Sequence, residues 1–250
     1  RNSQRGKPPV RPIYTRADAE ASLNSFRIID YGHWTDAGDG VRVRYWNAGH
    51  ILGAASIELE METGGRDQRL LRLLFSGDIG PDNKLFHPDP DAPQNLDYVF
   101  CEATYGGRSR PEAPRDGRRQ ILAGEVTKAL ANDGILLIPS FAVERTQELL
   151  ADLSALIDSG AIPQTPIFLD SPLAIKATEV FAKHAADLED MDGQPDLFHH
   201  PNIHFTETVD QSKAIARFTS GCIILAASGM CDAGRIRHHL EQIEKDTFGL

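Results

Sequence analysis

The stretch ILLIPSFAVERTQELLADLSALIDS, residues 135–159, decides the fold class. Its first five residues form a short apolar run, which is typical of a strand that is buried in a sheet. A small polar turn begins at Ser140, and apolar residues then recur as far as Ser159 in a way that predicts a helix. A strand followed directly by a helix of this length is the repeating unit of a parallel α/β sheet.

The same alternation continues on both sides of this stretch. Beyond residue 117 the predicted elements are helices at 118–132, 143–159, after Pro172, at 210–218 and from about Ala233, and strands at 135–139, 167–170, 203–206 and 222–227. Strands that alternate with helices of ten or more residues imply a mainly parallel sheet with right-handed crossovers.

The first half has the pattern of β-structure instead. Residues 41–45 and 57–62 alternate apolar and charged side chains, which predicts strands with one buried and one wet face. Segments 69–76 and 97–101 are more continuously apolar and are predicted to lie deeper in a sheet. Residues 1–14 are expected to be an extended connector and 16–23 a helix. A polar Arg/Pro/Gly stretch then predicts a boundary between two domains, 1–107 and 108–250.

Length and composition limit the class of protein and its cellular location. The chain has 250 residues, 41% of them hydrophobic, and lacks both an apolar run long enough for a bilayer and a leader pattern, so we expect a cytoplasmic protein without a membrane partner. Its three cysteines, Cys101, Cys222 and Cys231, are expected to be buried, reduced thiols.

A net charge of -10 argues mildly against nucleic-acid binding, although arginines cluster at residues 1–16 and 108–119. Such clusters are more often solvated surface than binding sites.

Three glycine-containing segments place metal-capable side chains at the ends of predicted strands. They are NAGHILGA with His50, SGDIG with Asp78, and CEATYGG with Glu102. Glycine permits tight turns and lets the backbone approach an ion or ligand closely. A histidine and carboxylates gathered at strand ends suit a divalent metal such as zinc. Each of these residues taken singly is more often a turn cap or a core side chain.

In this order the segments resemble those of the metallo-β-lactamase-fold nucleases of the β-CASP group, which includes bacterial ribonuclease J. AGHILGAA, SGDIG and CEATYGG are similar to three motifs of that group, and LLIPSFAVERTQELL, FLDSPLA and AASGMCDAGRIRHHL are similar to segments of its β-CASP domain. The resemblance implies an α/β fold. It would consist of a partial metallo-β-lactamase β-sandwich (αββα) followed by a β-CASP α/β domain with a mainly parallel sheet.

The resemblance also implies roles for the three residues. His50 would be a ligand of one Zn²⁺ ion, Asp78 would bridge two such ions, and Glu102 would orient an acid–base histidine. Asp78 and Glu102 would thus serve hydrolysis of RNA phosphodiester bonds. The group's His-x-His-x-Asp-His motif occurs nowhere in the chain, and its late histidine motifs would be expected beyond Leu250. We therefore expect a portion of a longer enzyme that binds Zn²⁺ weakly and has no turnover by itself.

In the second half of the chain, three predicted strands each end in a small polar turn, and a helix begins directly after the turn. Such turns suit anions, because free backbone N–H groups and the positive end of the helix meet there. Ser228, Gly229 and Arg235 are the first candidates for an RNA phosphate, followed by Ser140 and Arg145. The alternative for Ser140 and Ser171 is simple N-capping. Phe141 is a candidate for base stacking but is more often a core residue. The remaining histidines are expected to be surface or core residues without a ligand.

Three functions remain open on the sequence. The favoured one is a zinc-dependent ribonuclease with RNA as its partner. A catalytically inactive RNA-binding or scaffold relative is the second, and intact His50, Asp78 and Glu102 argue against it. The third is a small-molecule hydrolase of the same fold, which does not need the long β/α half. Association of two copies as a homodimer is left open.

Overall fold

The computed structural model describes residues 12–64, 69–109, 115–131, 134–189, 198–215, 217 and 220–248, without the side chains of 115–116 and 244–248. These residues form a mixed α/β fold with one five-stranded and one four-stranded sheet. The predicted connector at residues 1–14 lies almost wholly outside the described residues. The predicted helix at residues 16–23 is confirmed as α1 (Arg16–Ser22), which is capped by Thr15.

The first sheet contains its strands in chain order: β1 (Thr35–Gly38), β2 (Val41–Asn47), β3 (Ala55–Glu62), β4 (Leu70–Phe75) and β5 (Tyr98–Phe100). The pairs from β1 to β4 are antiparallel, and β5 joins β4 in parallel. The antiparallel ladder confirms the strands that the alternating pattern predicts.

The prediction of a wet charged face is wrong at Glu58, which is completely buried. Arginines from both neighbouring strands close over its carboxylate. Glu58 accepts hydrogen bonds from Arg44 at 2.8 Å, from the Trp46 indole at 2.8 Å and from Arg72 Nε at 2.9 Å. Burial alone raises the pKa of Glu58, but these hydrogen bonds outweigh it and lower the pKa below its ordinary value.

We predict that Glu58→Gln lowers the free energy of unfolding by about 2 kcal/mol at pH 7, because charged hydrogen bonds are lost. A carboxylate with a lowered folded pKa stabilises the protein above its unfolded pKa, and this stability is lost as the pH falls through the folded pKa. The gap between wild type and Glu58→Gln should therefore shrink below pH 4.5, the ordinary value. Urea unfolding of both proteins at pH 7 and pH 3 measures this difference in the free energy of unfolding. Glu62→Gln, on the same strand but exposed, is the control, and a gap that stays constant with pH would contradict the prediction.

The prediction that segment 97–101 lies deep in a sheet is also wrong. β5 is the edge strand of the first sheet, and Tyr98, Val99 and Phe100 are each more than half exposed. The Phe100 ring stacks on Phe75 at 4.7 Å between centroids. The continuous apolar run of this segment thus correctly predicts a strand, but it does not predict whether the strand is buried.

The second sheet is wholly parallel, with the order β6-β9-β7-β8. Its strands are β6 (Ile135–Pro139), β7 (Ile167–Asp170), β8 (Ile203–Phe205) and β9 (Cys222–Ala226). The helices around it are α2 (Arg115–Leu130), α3 (Arg145–Asp158), α4 (Pro172–Lys183), α5 (Val209–Ile215) and α6 (Ile236–Phe248). The predicted parallel α/β order is confirmed, and the carboxyl ends of all four strands meet at one edge. Among the described helices, none is long and apolar enough to cross a membrane.

The main core lies in this second unit but includes residues from the first half. Leu85 and Phe86 are buried in the same cluster as the interior of α3 and of the strands, and Leu52 packs against it. Phe86 is fully buried and makes edge contacts with Phe181 and Phe198 at 6.0 and 5.8 Å. The loop between β4 and β5 therefore anchors the first unit in the second, and the division at residue 107 stays a prediction.

The cysteines are all free thiols. Cys222 is buried in β9, and its burial raises the pKa of the thiol above the ordinary value. The expectation of three buried thiols is not met at Cys231, which is half-buried, and is wrong for Cys101, which is exposed. The reason is its position directly after the edge strand β5.

Candidate metal centre and nucleic-acid interface

Two of the three glycine-containing segments meet backbone to backbone. The amide of Gly80 donates to the carbonyl oxygen of Ala48 at 2.8 Å, and a Cβ atom on Gly80 would lie 1.8 Å from the carbonyl oxygen of Gly49. Only glycine permits so close an approach. As a result His50 lies beside Asp78, with 4.0 Å between Nε2 and Oδ2.

Glu102 holds the backbone directly after Asp78. Its carboxylate accepts hydrogen bonds from the amide of Ile79 at 2.8 Å and from the hydroxyl of Thr104 at 2.6 Å. These two hydrogen bonds and the nearby imidazole of His50 lower the pKa of Glu102. The structure thus brings His50, Asp78 and Glu102 together, and we call these three residues the rim. Glu102 is kept ionised and supports the Asp78 segment.

The rim offers two donors to a metal ion. The side chains of His50 and Asp78 are 44% and 77% exposed, and an imidazole nitrogen with a carboxylate oxygen suits zinc. A catalytic zinc takes three protein ligands. Within the part of the chain that the structure describes, no three His, Cys, Asp or Glu side chains are grouped to hold a metal. The described residues therefore do not fit a complete zinc centre.

A buried charge cluster ties this rim to the second unit. Lys84 donates a hydrogen bond to the backbone carbonyl of His50 and forms an ion pair with Glu144 at 3.1 Å. Glu144 also pairs with His87 at 2.8 Å, and all three side chains are at least nine-tenths buried. Burial raises the pKa of Glu144, but His87 and Lys84 outweigh this and lower it below the ordinary value.

Sequence reasoning missed this cluster. His87 is a core residue, which is one of the two predicted positions, but the sequence indicates no partner for it. Lys84 lies in a loop without any distinguishing pattern. In the structure Glu144 lies immediately before α3, where its φ of 74° and the hydrogen bond from the Arg145 amide to the Val143 carbonyl form a strained γ-turn. Strained backbone of this kind persists only where the surroundings hold it.

The three polar turns lie at the carboxyl edge of the parallel sheet, each with a different role. Ser171 caps α4 by accepting a hydrogen bond from the amide of Ala174, so N-capping is confirmed there. Ser140 is buried and accepts from the hydroxyl of Thr146 without capping α3. Ser228 accepts from the amide of Met230 at 3.2 Å and donates to a nearby carboxylate at 2.8 Å.

The guanidinium of Arg235 is already occupied within the fold. It donates to Asp170 at 2.6 Å and to two backbone carbonyls, those of Thr206 and Glu207, at 2.8 and 2.7 Å. Asp170 is completely buried, and burial raises its pKa. Hydrogen bonds from His239 and three other side chains outweigh the burial and lower the pKa of Asp170 far below its ordinary value. Arg235 therefore positions the segment that carries Ser228 and Gly229.

The described arginines around α2 and α3 are also paired. Arg118 and Arg119 both donate to the buried carboxylate of Asp152, at 2.8 and 2.9 Å, so these two are not freely solvated surface. Arg145 pairs with Glu148 at 2.8 Å but stays 57% exposed. Of the phosphate candidates, Arg145 thus has the cation that is most open to solvent.

The comparisons with known proteins agree with this architecture. Residues 146–247 match the Beta-Casp domain family. Residues 146–247 of the second unit therefore form a Beta-Casp domain. The predicted fold class is confirmed as well.

Relatives with nuclease names match most of the chain. It is similar to Ribonuclease TTHA0252 of Thermus thermophilus, with 34% identity over 92% of this chain and 52% of the relative. It is also similar to an RNase J-like protein of Methanocaldococcus jannaschii, with 28% identity over 92% of the chain and 53% of the relative. Endoribonuclease YSH1 of Yarrowia lipolytica is 30% identical over 94% of the chain and 28% of the relative. The chain spans about half the length of the first two.

Proposed function

We propose that the protein is a ribonuclease that hydrolyses RNA phosphodiester bonds with the help of Zn²⁺ in the cytoplasm. In this proposal His50 and Asp78 are metal ligands, and Asp78 and Glu102 serve the catalytic site. Arg145, Ser228 and Gly229 belong to the RNA-binding surface, which the buried Ser140 and the internally paired Arg235 support from within the fold. The observation that supports it most is the convergence of His50 and Asp78, 4.0 Å apart, beside Glu102. Relatives named ribonuclease and endoribonuclease support the reaction class.

The residues of the chain would act by binding and positioning. Zn²⁺ would supply an activated water and stabilise the charge that develops on the phosphate. His50 and Asp78 offer two donors, so a complete centre needs at least one further ligand. Glu102 fixes the Asp78 segment through the Ile79 amide, and such supporting contacts tune a metal site strongly.

RNA would be held at the carboxyl edge of the parallel sheet. This edge is where open α/β folds bind ligands. Arg145 offers an exposed cation for a phosphate, while Arg235 acts through the segment of Ser228 and Gly229 that it fixes. Ser140 is buried behind this edge and supports the turn through Thr146.

We predict that Asp78→Ala in the full-length protein lowers the rate of RNA cleavage at least about 100-fold, on the scale of losing one strong catalytic interaction. Cleavage of labelled RNA, with metal analysis of the same samples, measures it. Asp82→Ala is the matched control, because this exposed carboxylate lies in the same loop, four residues further on.

The outcomes separate the alternatives. Equal activity in Asp78→Ala and wild type would remove the metal role of Asp78. Full-length wild type that binds RNA without cleaving it would favour the inactive RNA-binding relative.

A further inference from the structure

Phe141 is a strongly exposed aromatic side chain at the carboxyl edge of the parallel sheet. It follows β6 directly and is 58% exposed, so the expectation of a core position is wrong. Its ring lies against the backbone of Gly229, where an added Cβ atom would come within 3.0 Å of the Cδ2 atom of the ring. The ring is therefore supported on one side by glycine and open to solvent elsewhere.

This support comes from the turns that follow two neighbouring strands of the sheet, β6 and β9. Pro139 at the end of β6 pairs in register with Ala226 at the end of β9, so the turns that follow them are adjacent. Met230, in the turn that follows β9, is 70% exposed. Phe141 and Met230 are thus two exposed apolar side chains on adjacent turns, and we call this pair the ledge.

The ledge is connected to the candidate metal rim through a single turn. Glu144 lies three residues after Phe141, which limits their separation to about 11 Å. Glu144 forms the ion pair with Lys84, and Lys84 donates to the carbonyl of His50. The turn therefore exposes an aromatic ring while its other end is fixed to the segment that carries a proposed metal ligand.

A nucleobase suits this ledge better than a protein surface does. Stable protein interfaces bury about 800 Å² on each partner, far more than two side chains provide. A single exposed ring, by contrast, is enough to stack one unpaired base, which is how many proteins hold single-stranded RNA. Arg145, four residues after Phe141, is 57% exposed and offers a cation for the adjoining phosphate.

We propose that the ring of Phe141 stacks on one unpaired base of a single-stranded RNA. This inference rests on the proposed function and adds a recognition element to it: an unpaired nucleotide is held at the turn between β6 and α3. Stacking on one face of a ring does not read the base identity, so the element favours single strands without selecting a sequence.

The test is a titration of fluorescein-labelled oligouridylate of 12 nucleotides with the purified chain and its variants. Phe141→Ala should weaken binding about tenfold, whereas Phe141→Trp should retain it and show quenching of the new indole fluorescence. Val180→Ala is the control, because it removes a side chain of similar exposure, 48%, from the last turn of α4. An RNA duplex of the same length should lose no affinity through Phe141→Ala, since paired bases are not free to stack.

Three results would overturn the inference. Equal affinity of wild type and Phe141→Ala for the single strand would remove the stacking role and leave the proposed function intact. Equal loss on single strand and duplex would show that the variant disturbs the turn instead of a stacking contact. Wild-type chain that binds neither RNA would overturn both the inference and the RNA surface of the proposed function.

Discussion

Replacing Asp170 by alanine is expected to lower the free energy of unfolding by about 3–5 kcal/mol, the cost of breaking a buried ion pair from one side. Asp170 is completely buried at the end of β7 and accepts hydrogen bonds at 2.6 to 2.7 Å from four side chains. These are Thr206, Ser212, Arg235 and His239. Alanine would leave the guanidinium of Arg235, only 18% exposed, without its counter-ion. Urea unfolding of both proteins at pH 7 measures the change.

The double variant Asp170→Ala/Arg235→Ala isolates the pair. If the ion pair carries the effect, removing both partners should cost less than the sum of the single changes, by at least about 1 kcal/mol. Additive losses, or a loss below 1 kcal/mol for Asp170→Ala, would contradict the role that we assign to this carboxylate.

Replacing Phe86 by alanine is expected to cost about 3–5 kcal/mol, as is usual when a large aromatic side chain is removed from a core. Phe86 belongs to the loop between β4 and β5, yet it is fully buried between Phe181 and Phe198. Lys84 and His87, which flank it closely, bind Glu144. Loss of the Phe86 ring should therefore also loosen the contact between Lys84 and the carbonyl of His50.

Thermal and urea unfolding measure the stability, and amide hydrogen exchange at residues 48–52 measures the loosening. Phe26→Ala is the control, because this ring is 75% exposed and its removal should change the stability by less than about 0.5 kcal/mol. A Phe86→Ala protein as stable as Phe26→Ala would show that the loop does not anchor the two units.

The parallel half of the fold could be predicted from the sequence because its signals are local. The bounds of β6 and β7 match the prediction residue for residue, and the cap of α4 by Ser171 follows from the Ser-Pro pair. The position of the rim was also accessible, because Gly80 and its neighbours make the close backbone contact that joins the His50 and Asp78 segments.

The features that the sequence did not predict depend on contacts between distant residues. His87 and Glu144 are 57 positions apart, and His239 and Asp170 are 69 apart, so no local pattern connects them. Glu58 belongs to an alternating pattern that predicts a solvent-exposed strand face, but Arg44 and Arg72 from the adjacent strands bury it. In each case tertiary packing decides whether a charged residue is surface or core.

The central claim is that His50 and Asp78 bind one metal ion together. Titration of the isotope-labelled chain with Mn²⁺, followed by paramagnetic broadening of its NMR signals, tests this most directly. We expect the signals of residues 49–50 and 77–79 to broaden first and together. We also expect weak binding, because the described residues supply only two donors, and Asp78→Ala should abolish the effect at both segments. Broadening that begins elsewhere, or that persists at His50 in Asp78→Ala, would contradict the claim.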